Sequence, residues 1–121
     1  MSKKHSLIKS VGYAFKGIGT AFKNEPNLRI QITIALIALF SAVVFRFSAL
    51  EMAILILTVG FVLILELINT TIEALVDLVS EEIKPKAMIA KDVSAAAVLT
   101  SAILAVFIGI FLFLPKILKL L

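Results

Sequence analysis

The 121 residues are 61% hydrophobic, with a mean hydropathy of +1.13. Soluble domains hold about 45–50% apolar residues, so the chain reads as a single-domain integral membrane protein. It contains no cysteine, which excludes disulfides and thiolate metal centres. The net charge of +4 is assigned to membrane topology rather than to nucleic-acid binding, and the single His5 to a solvated position rather than a metal site.

The first segment, 6–24, lacks the continuous apolar stretch of a signal peptide. Leu7, Val11, Phe15, Ile18 and Phe22 recur at helical spacing, and Lys9, Lys16 and Lys23 repeat on roughly the opposite side. That pattern predicts an amphipathic helix lying in the membrane interface. Gly12 and Gly17 have the separation of a phosphate-binding loop, but Ile18-Gly19 stands where Lys-Ser/Thr is required. Glu25-Pro26-Asn27 then breaks the pattern.

Three apolar runs follow, predicting membrane spans over 28–47, 50–79 and 88–114. The second, at about 45 Å if helical, exceeds a hydrocarbon core of about 30 Å, so its last turns are expected to leave the membrane. Lys3, Lys4, Lys9, Lys16, Lys23 and Arg29 precede or open the first span, and Lys84, Lys86 and Lys91 lie between the second and third. Arg46, Lys116 and Lys119 fall on the other side, a count of nine against three. The bias predicts a cytoplasmic N-terminus and second loop, with the C-terminus outside.

The anomaly is the end of the second run. On a helix Glu66, Asn69, Glu73 and Asp77 fall at i, i+3, i+7 and i+11, one narrow polar stripe. An acidic group at the centre of a spanning helix costs about 2.5–3.5 kcal/mol to insert. Such a stripe is expected to face something cationic. The topology adds Glu25 and Arg29 on one side, Lys91 and Asp92 on the other, all at the cytoplasmic ends of the spans. Carboxylates beside a lysine, without histidine or thiolate, favour a hard cation such as Mg²⁺, which shares its oxygen ligands with phosphates. Taken alone, the acidic stripe would also suit a small oligomeric cation channel or adaptor. Lys91-Asp92 opposite the carboxylates favours phosphate chemistry instead, since a phosphate-binding lysine is of no use to a cation pore.

The motif Glu66-Leu-Ile-Asn69-Thr-Thr-Ile-Glu73-Ala-Leu-Val-Asp77, followed by Ala90-Lys91-Asp92-Val-Ser-Ala-Ala-Ala-Val98, resembles the prokaryotic diacylglycerol kinase family. That family includes diacylglycerol kinases and the undecaprenol kinases of Gram-positive bacteria. Gly12-Tyr13-Ala-Phe15-Lys16-Gly17 and Asn24-Glu25-Pro-Asn-Leu-Arg29 extend the likeness over nearly the whole chain. The resemblance implies an all-α homotrimer in the bacterial plasma membrane, each chain an amphipathic surface helix with three transmembrane helices. It implies transfer of the γ-phosphoryl group of MgATP to a lipid hydroxyl at sites shared between neighbouring subunits.

By the same resemblance Glu66 is the general base, while Glu25 and Glu73 hold the nucleotide-bound Mg²⁺. Lys91 meets the nucleotide phosphates, and Tyr13, Asp92 and the segment 82–84, with Glu82 and Lys84, contact the nucleotide. Asn69 and Asp77 support the site, and Phe15 and Ala95 fall to the lipid. Ser94-Ala95 replaces the Gly-Ser of diacylglycerol members, Ser6 stands where they tend to carry an arginine, and Gln31 where they carry an acid. These departures favour undecaprenol as the acceptor over diacylglycerol.

Overall fold

A computed structural model describes residues 6–82 and 84–121. His5, Lys3 and Lys4, to which the sequence assigns a solvated position and a share of the charge bias, lie outside the described residues. Four helices run in order: α1 (Leu7–Asn24), α2 (Pro26–Val44), α3 (Ala49–Val79) and α4 (Pro85–Leu118). The last three are long and apolar enough to cross a membrane.

Each boundary has a local cause. Ser6 caps α1 by accepting from the Lys9 amide at 3.3 Å, so this residue has a structural role at the helix start. Gly12 and Gly17 sit inside that helix, and no phosphate-binding loop forms there. Pro26 and Pro85 open α2 and α4, where a missing N–H costs nothing. The expected spans over 28–47 and 88–114 are therefore both preceded by helix: α2 begins at Pro26 and α4 at Pro85. Ser48 and Glu51 form a reciprocal capping box at the start of α3.

At the other end of α2 the helix stops at Val44, short of the expected position 47. Arg46 adopts the left-handed conformation at φ 57°. The Phe47 N–H then reaches the Ala42 carbonyl at 3.0 Å and the Arg46 N–H reaches Val43 at 3.1 Å. This is the Schellman closure, usually made with glycine.

Arg29 ties α1 to α2. Its guanidinium donates to the carbonyls of Phe22 at 2.7 Å and Lys23 at 2.9 Å, satisfying the open C-terminal end of α1. That bond sets the corner carrying Glu25.

Packing reverses the soluble pattern. Large apolar side chains such as Phe40, Leu57 and Phe111 are exposed, whereas four of the eleven buried described residues are polar: Glu66, Asn69, Ser94 and Ser101. In lipid, helices gain little by hiding apolar surface from one another, so contacts fall to small and polar residues. Buried positions recur every seven residues, at 28, 35 and 42 in α2, at 55, 62 and 69 in α3, and at 94 and 101 in α4. That is the period of a left-handed bundle.

The most extensive interface joins α3 to α4 as an antiparallel pair. At the end remote from Glu66, Lys116 pairs with Glu51 at 3.0 Å and lies 5.7 Å over the Phe47 ring. There Phe113 packs on Phe47 with centroids 4.8 Å apart. All the serine and threonine hydroxyls of α2, α3 and α4 except one bond to a carbonyl of their own helix. The exception is Ser94.

Left-handed backbone costs a side-chain-bearing residue about 1–2 kcal/mol. Arg46→Gly is accordingly expected to keep or raise stability, by up to about 1 kcal/mol, in denaturant titrations of the micelle-embedded protein. Arg46→Val should lower it.

Candidate functional site

The acidic stripe of α3 is graded in exposure. Glu66 is 2% exposed and Asn69 7%, Glu73 is half-buried, and Asp77 is open to its surroundings. Asn69 and Asp77 are three and eleven residues beyond Glu66 in sequence, so the gradient runs along one face toward the C-terminal end of the helix.

At the buried end, the Gln31 amide N–H of α2 donates to Glu66 Oε2 at 3.3 Å. Glu66 Oε1 and Gln31 Oε1 are also buried, and neither has a hydrogen-bond partner among the described residues. Burying an unpaired acceptor is unfavourable unless something supplies a donor, so both oxygens can take a further hydrogen bond. Gln31 also lines an apolar groove of about 300 Å³ between α2, α3 and α4. Ala35, Ala38, Val62, Ala105 and Phe113 are among its walls.

One turn on, Ser94 of α4 donates to Asn69 Oδ1 at 2.7 Å, and both residues are buried. The Asn69 amide is thereby turned so that its N–H group faces Glu73 Oε1 at 3.4 Å. At the open end Lys91 pairs with Asp77 at 2.6 Å, and its charge also feels Glu73. Asp77 and Lys91 line a small cleft with Ser80, Glu81, Glu82 and Met88. The Ser80 hydroxyl donates to the Glu82 carbonyl at 2.6 Å, shaping the turn before α4.

Glu25, half-buried at the α1–α2 corner, lies close enough for its charge to act on Glu66, as does that of Glu73. Among the described residues there is no cluster of three or more carboxylate or imidazole side chains able to cage a metal. The donors present nevertheless fit Mg²⁺, which takes one or two carboxylates and fills its other positions with water and phosphate oxygens.

The remaining sequence-derived residues are distributed around this centre. Tyr13 and Phe15 are exposed on α1, which touches both α2 and α3. Lys84 is exposed at the start of α4, and Asp92 and Ala95 are exposed within it. Phe15, Ala95 and Glu66 are not among the residues that line the apolar groove. Two residues of the centre, Gln31 and Ser94, enter the sequence reading only as departures from diacylglycerol members, with no role in the site. The signal for Ser94 was its position in an apolar run seven residues before Ser101; for Gln31 it was a polar residue in the first turns of a span.

The sequence model described as prokaryotic diacylglycerol kinase matches residues 12–113. A diacylglycerol kinase of Synechocystis sp. is 40% identical over 95% of this chain and 66% of its own length. An undecaprenol kinase of Bacillus subtilis is 36% identical over 91% of this chain and 89% of its own. A diacylglycerol kinase of Escherichia coli K12 is 37% identical over 83% and 82%.

Removing the Ser94 hydroxyl leaves Asn69 Oδ1 buried without a donor, a loss of about 1–3 kcal/mol. Ser94→Ala should destabilise by that amount in micelles. Paired with Asn69→Ala it should show a coupling energy of at least about 0.5 kcal/mol in a double-mutant cycle.

Proposed function

Because the chain belongs to the prokaryotic diacylglycerol kinase family, we propose that it transfers the γ-phosphoryl group of MgATP to the hydroxyl of undecaprenol, giving undecaprenyl phosphate. Membership makes it a lipid kinase of the membrane, with a lipid acceptor and ATP as donor. The channel or adaptor reading is set aside on that ground. The choice of undecaprenol rests on Ser94-Ala95 and Gln31, which depart from the pattern of diacylglycerol members. The undecaprenol kinase of B. subtilis matches 91% of the chain. Diacylglycerol, giving phosphatidic acid, is the alternative acceptor, favoured by the Synechocystis and E. coli relatives, which are diacylglycerol kinases.

One observation carries the mechanism: Glu66 is buried with one carboxylate oxygen unengaged, and its hydrogen-bond partner Gln31 lines an apolar groove. A long-chain alcohol lying in that groove brings its hydroxyl to Glu66 Oε1. Glu66 takes the hydroxyl proton, the alcohol oxygen attacks the γ-phosphorus, and the bond to the β–γ bridging oxygen breaks to release ADP. Little further covalent help is needed, since phosphoryl transfer depends mainly on positioning and charge neutralisation. Glu25 and Glu73 would hold Mg²⁺, which neutralises phosphate charge when bound. Lys91, once drawn from Asp77, meets the phosphates. Tyr13, Glu82, Lys84 and Asp92 contact the nucleotide, Asn69 orients Glu73, Asp77 holds Lys91 until the phosphates arrive, and Phe15 and Ala95 border the lipid outside the groove.

In this reading α1 lies in the membrane interface, the N-terminus and the α3–α4 connection are cytoplasmic, and the C-terminus is outside. The exposed apolar faces of the spans meet lipid and neighbouring subunits of a homotrimer, and no nucleic acid is involved.

Purified protein in mixed micelles with γ-labelled ATP and Mg²⁺ should label undecaprenol faster than dioctanoylglycerol, and Glu66→Gln should lower kcat by about 10²–10⁴-fold. Faster labelling of dioctanoylglycerol would instead select the alternative acceptor. Unchanged activity in Glu66→Gln would remove it as the base.

A further inference from the structure

Gln31 and Glu66 are 35 residues apart and belong to different helices, yet their side chains meet inside the bundle through one hydrogen bond of 3.3 Å. Glu66 is 2% exposed, and its Oε1 and the Oε1 of Gln31 are the two buried side-chain atoms without a partner among the described residues. Gln31 also lines the apolar groove, where Thr58 is the other polar residue. The donor to Glu66 is therefore a neutral amide that joins the buried carboxylate to that groove.

We propose that Gln31 is a positioning residue for the phosphoryl-transfer step, orienting the Glu66 carboxylate so that Oε1 receives the acceptor hydroxyl. The inference rests on Glu66 acting as the base. A carboxylate on a long side chain can rotate, so a fixed donor on one oxygen decides which oxygen is left free. Donation from the Gln31 amide engages Oε2 and leaves Oε1 as the free oxygen for the incoming hydroxyl. When the alcohol O–H bond breaks and the Oε1–H bond forms, the new carboxylic acid becomes a donor. Oε2 is then the carbonyl oxygen of that acid and still accepts from the Gln31 N–H. One neutral side chain thus pairs with Glu66 before and after proton transfer. A carboxyl at position 31, as in diacylglycerol members, could donate to Oε2 only in its protonated form, and an aliphatic residue could not donate at all.

The test compares Gln31→Leu with the parent in mixed micelles, using undecaprenol and dioctanoylglycerol in parallel. A wrong acceptor assignment appears in the parent's two rates, and a wrong base in Glu66→Gln. A wrong role for Gln31 appears in the variant-to-parent ratio with whichever alcohol the parent turns over.

The expected result is a ten- to hundredfold lower kcat with KM for MgATP within twofold, the size of loss that a misplaced reacting group produces. The Glu66 carboxylate stretch, isolated by infrared difference against Glu66→Gln, should also shift in Gln31→Leu. A kcat within twofold of the parent overturns the proposal, as does a loss of kcat matched by a rise in KM for MgATP with an unmoved carboxylate band. If Gln31→Leu does not fold, Gln31→Met, of similar shape but without a donor, decides: a tenfold or greater loss of kcat at unchanged KM for MgATP supports the role, and full kcat overturns it.

Discussion

A carboxylate held inside a membrane bundle is the constraint from which the other features follow. Glu66 is almost wholly removed from its surroundings by the helices about it. Charge at that depth is tolerated only where the bundle supplies polar neighbours, so α2 must bring a donor and α3 must turn its polar stripe inward. Gln31 is that donor. Its place in the second turn of α2 depends on where that helix begins, and hence on Pro26 and on the Arg29 guanidinium that closes α1. The α1–α2 corner, far from Glu66 in sequence, is thereby part of the same arrangement.

Between α3 and α4, specificity comes from a ladder of polar contacts more than from apolar interdigitation. Asp77 meets Lys91, Asn69 meets Ser94, and Glu51 meets Lys116. Running in opposite directions along the two helices, these three pairs set an antiparallel register. Shifting α4 by one turn would separate all of them. The middle pair joins packing to chemistry, because the Ser94 hydroxyl fixes the orientation in which Asn69 presents its amide to Glu73.

Much of this was legible in the residues. The three apolar runs predicted all-helical spans, and the spacing of Glu66, Asn69, Glu73 and Asp77 placed them on one face, because both are properties of a single helix. The partners of that face were not legible. Gln31 and Ser94 contact the stripe from other helices, and no periodicity within one segment reports which residues two helices bring together. Helix ends also escaped the hydropathy pattern. Val44 terminates α2 through backbone bonds around Arg46, although Phe45 and Phe47 are as apolar as the run before them. The motif shared with the family picked out the carboxylates and Lys91. The neutral groups that orient them lie outside it or depart from it.

The account divides one helix face between two substrates, with nucleotide and cation at Glu73 and the alcohol at Glu66. The most direct measurement replaces Mg²⁺ with Mn²⁺ and follows ¹³C-labelled glutamate carboxyl resonances in micelles on addition of ATP, the two signals assigned by Glu66→Gln and Glu73→Gln. Two helical turns separate the residues by about 10 Å, and paramagnetic broadening falls steeply over that distance. The account predicts that the Glu73 signal is lost while the Glu66 signal survives with lesser broadening. Loss of Glu66 with retention of Glu73, or equal broadening of both, would contradict it.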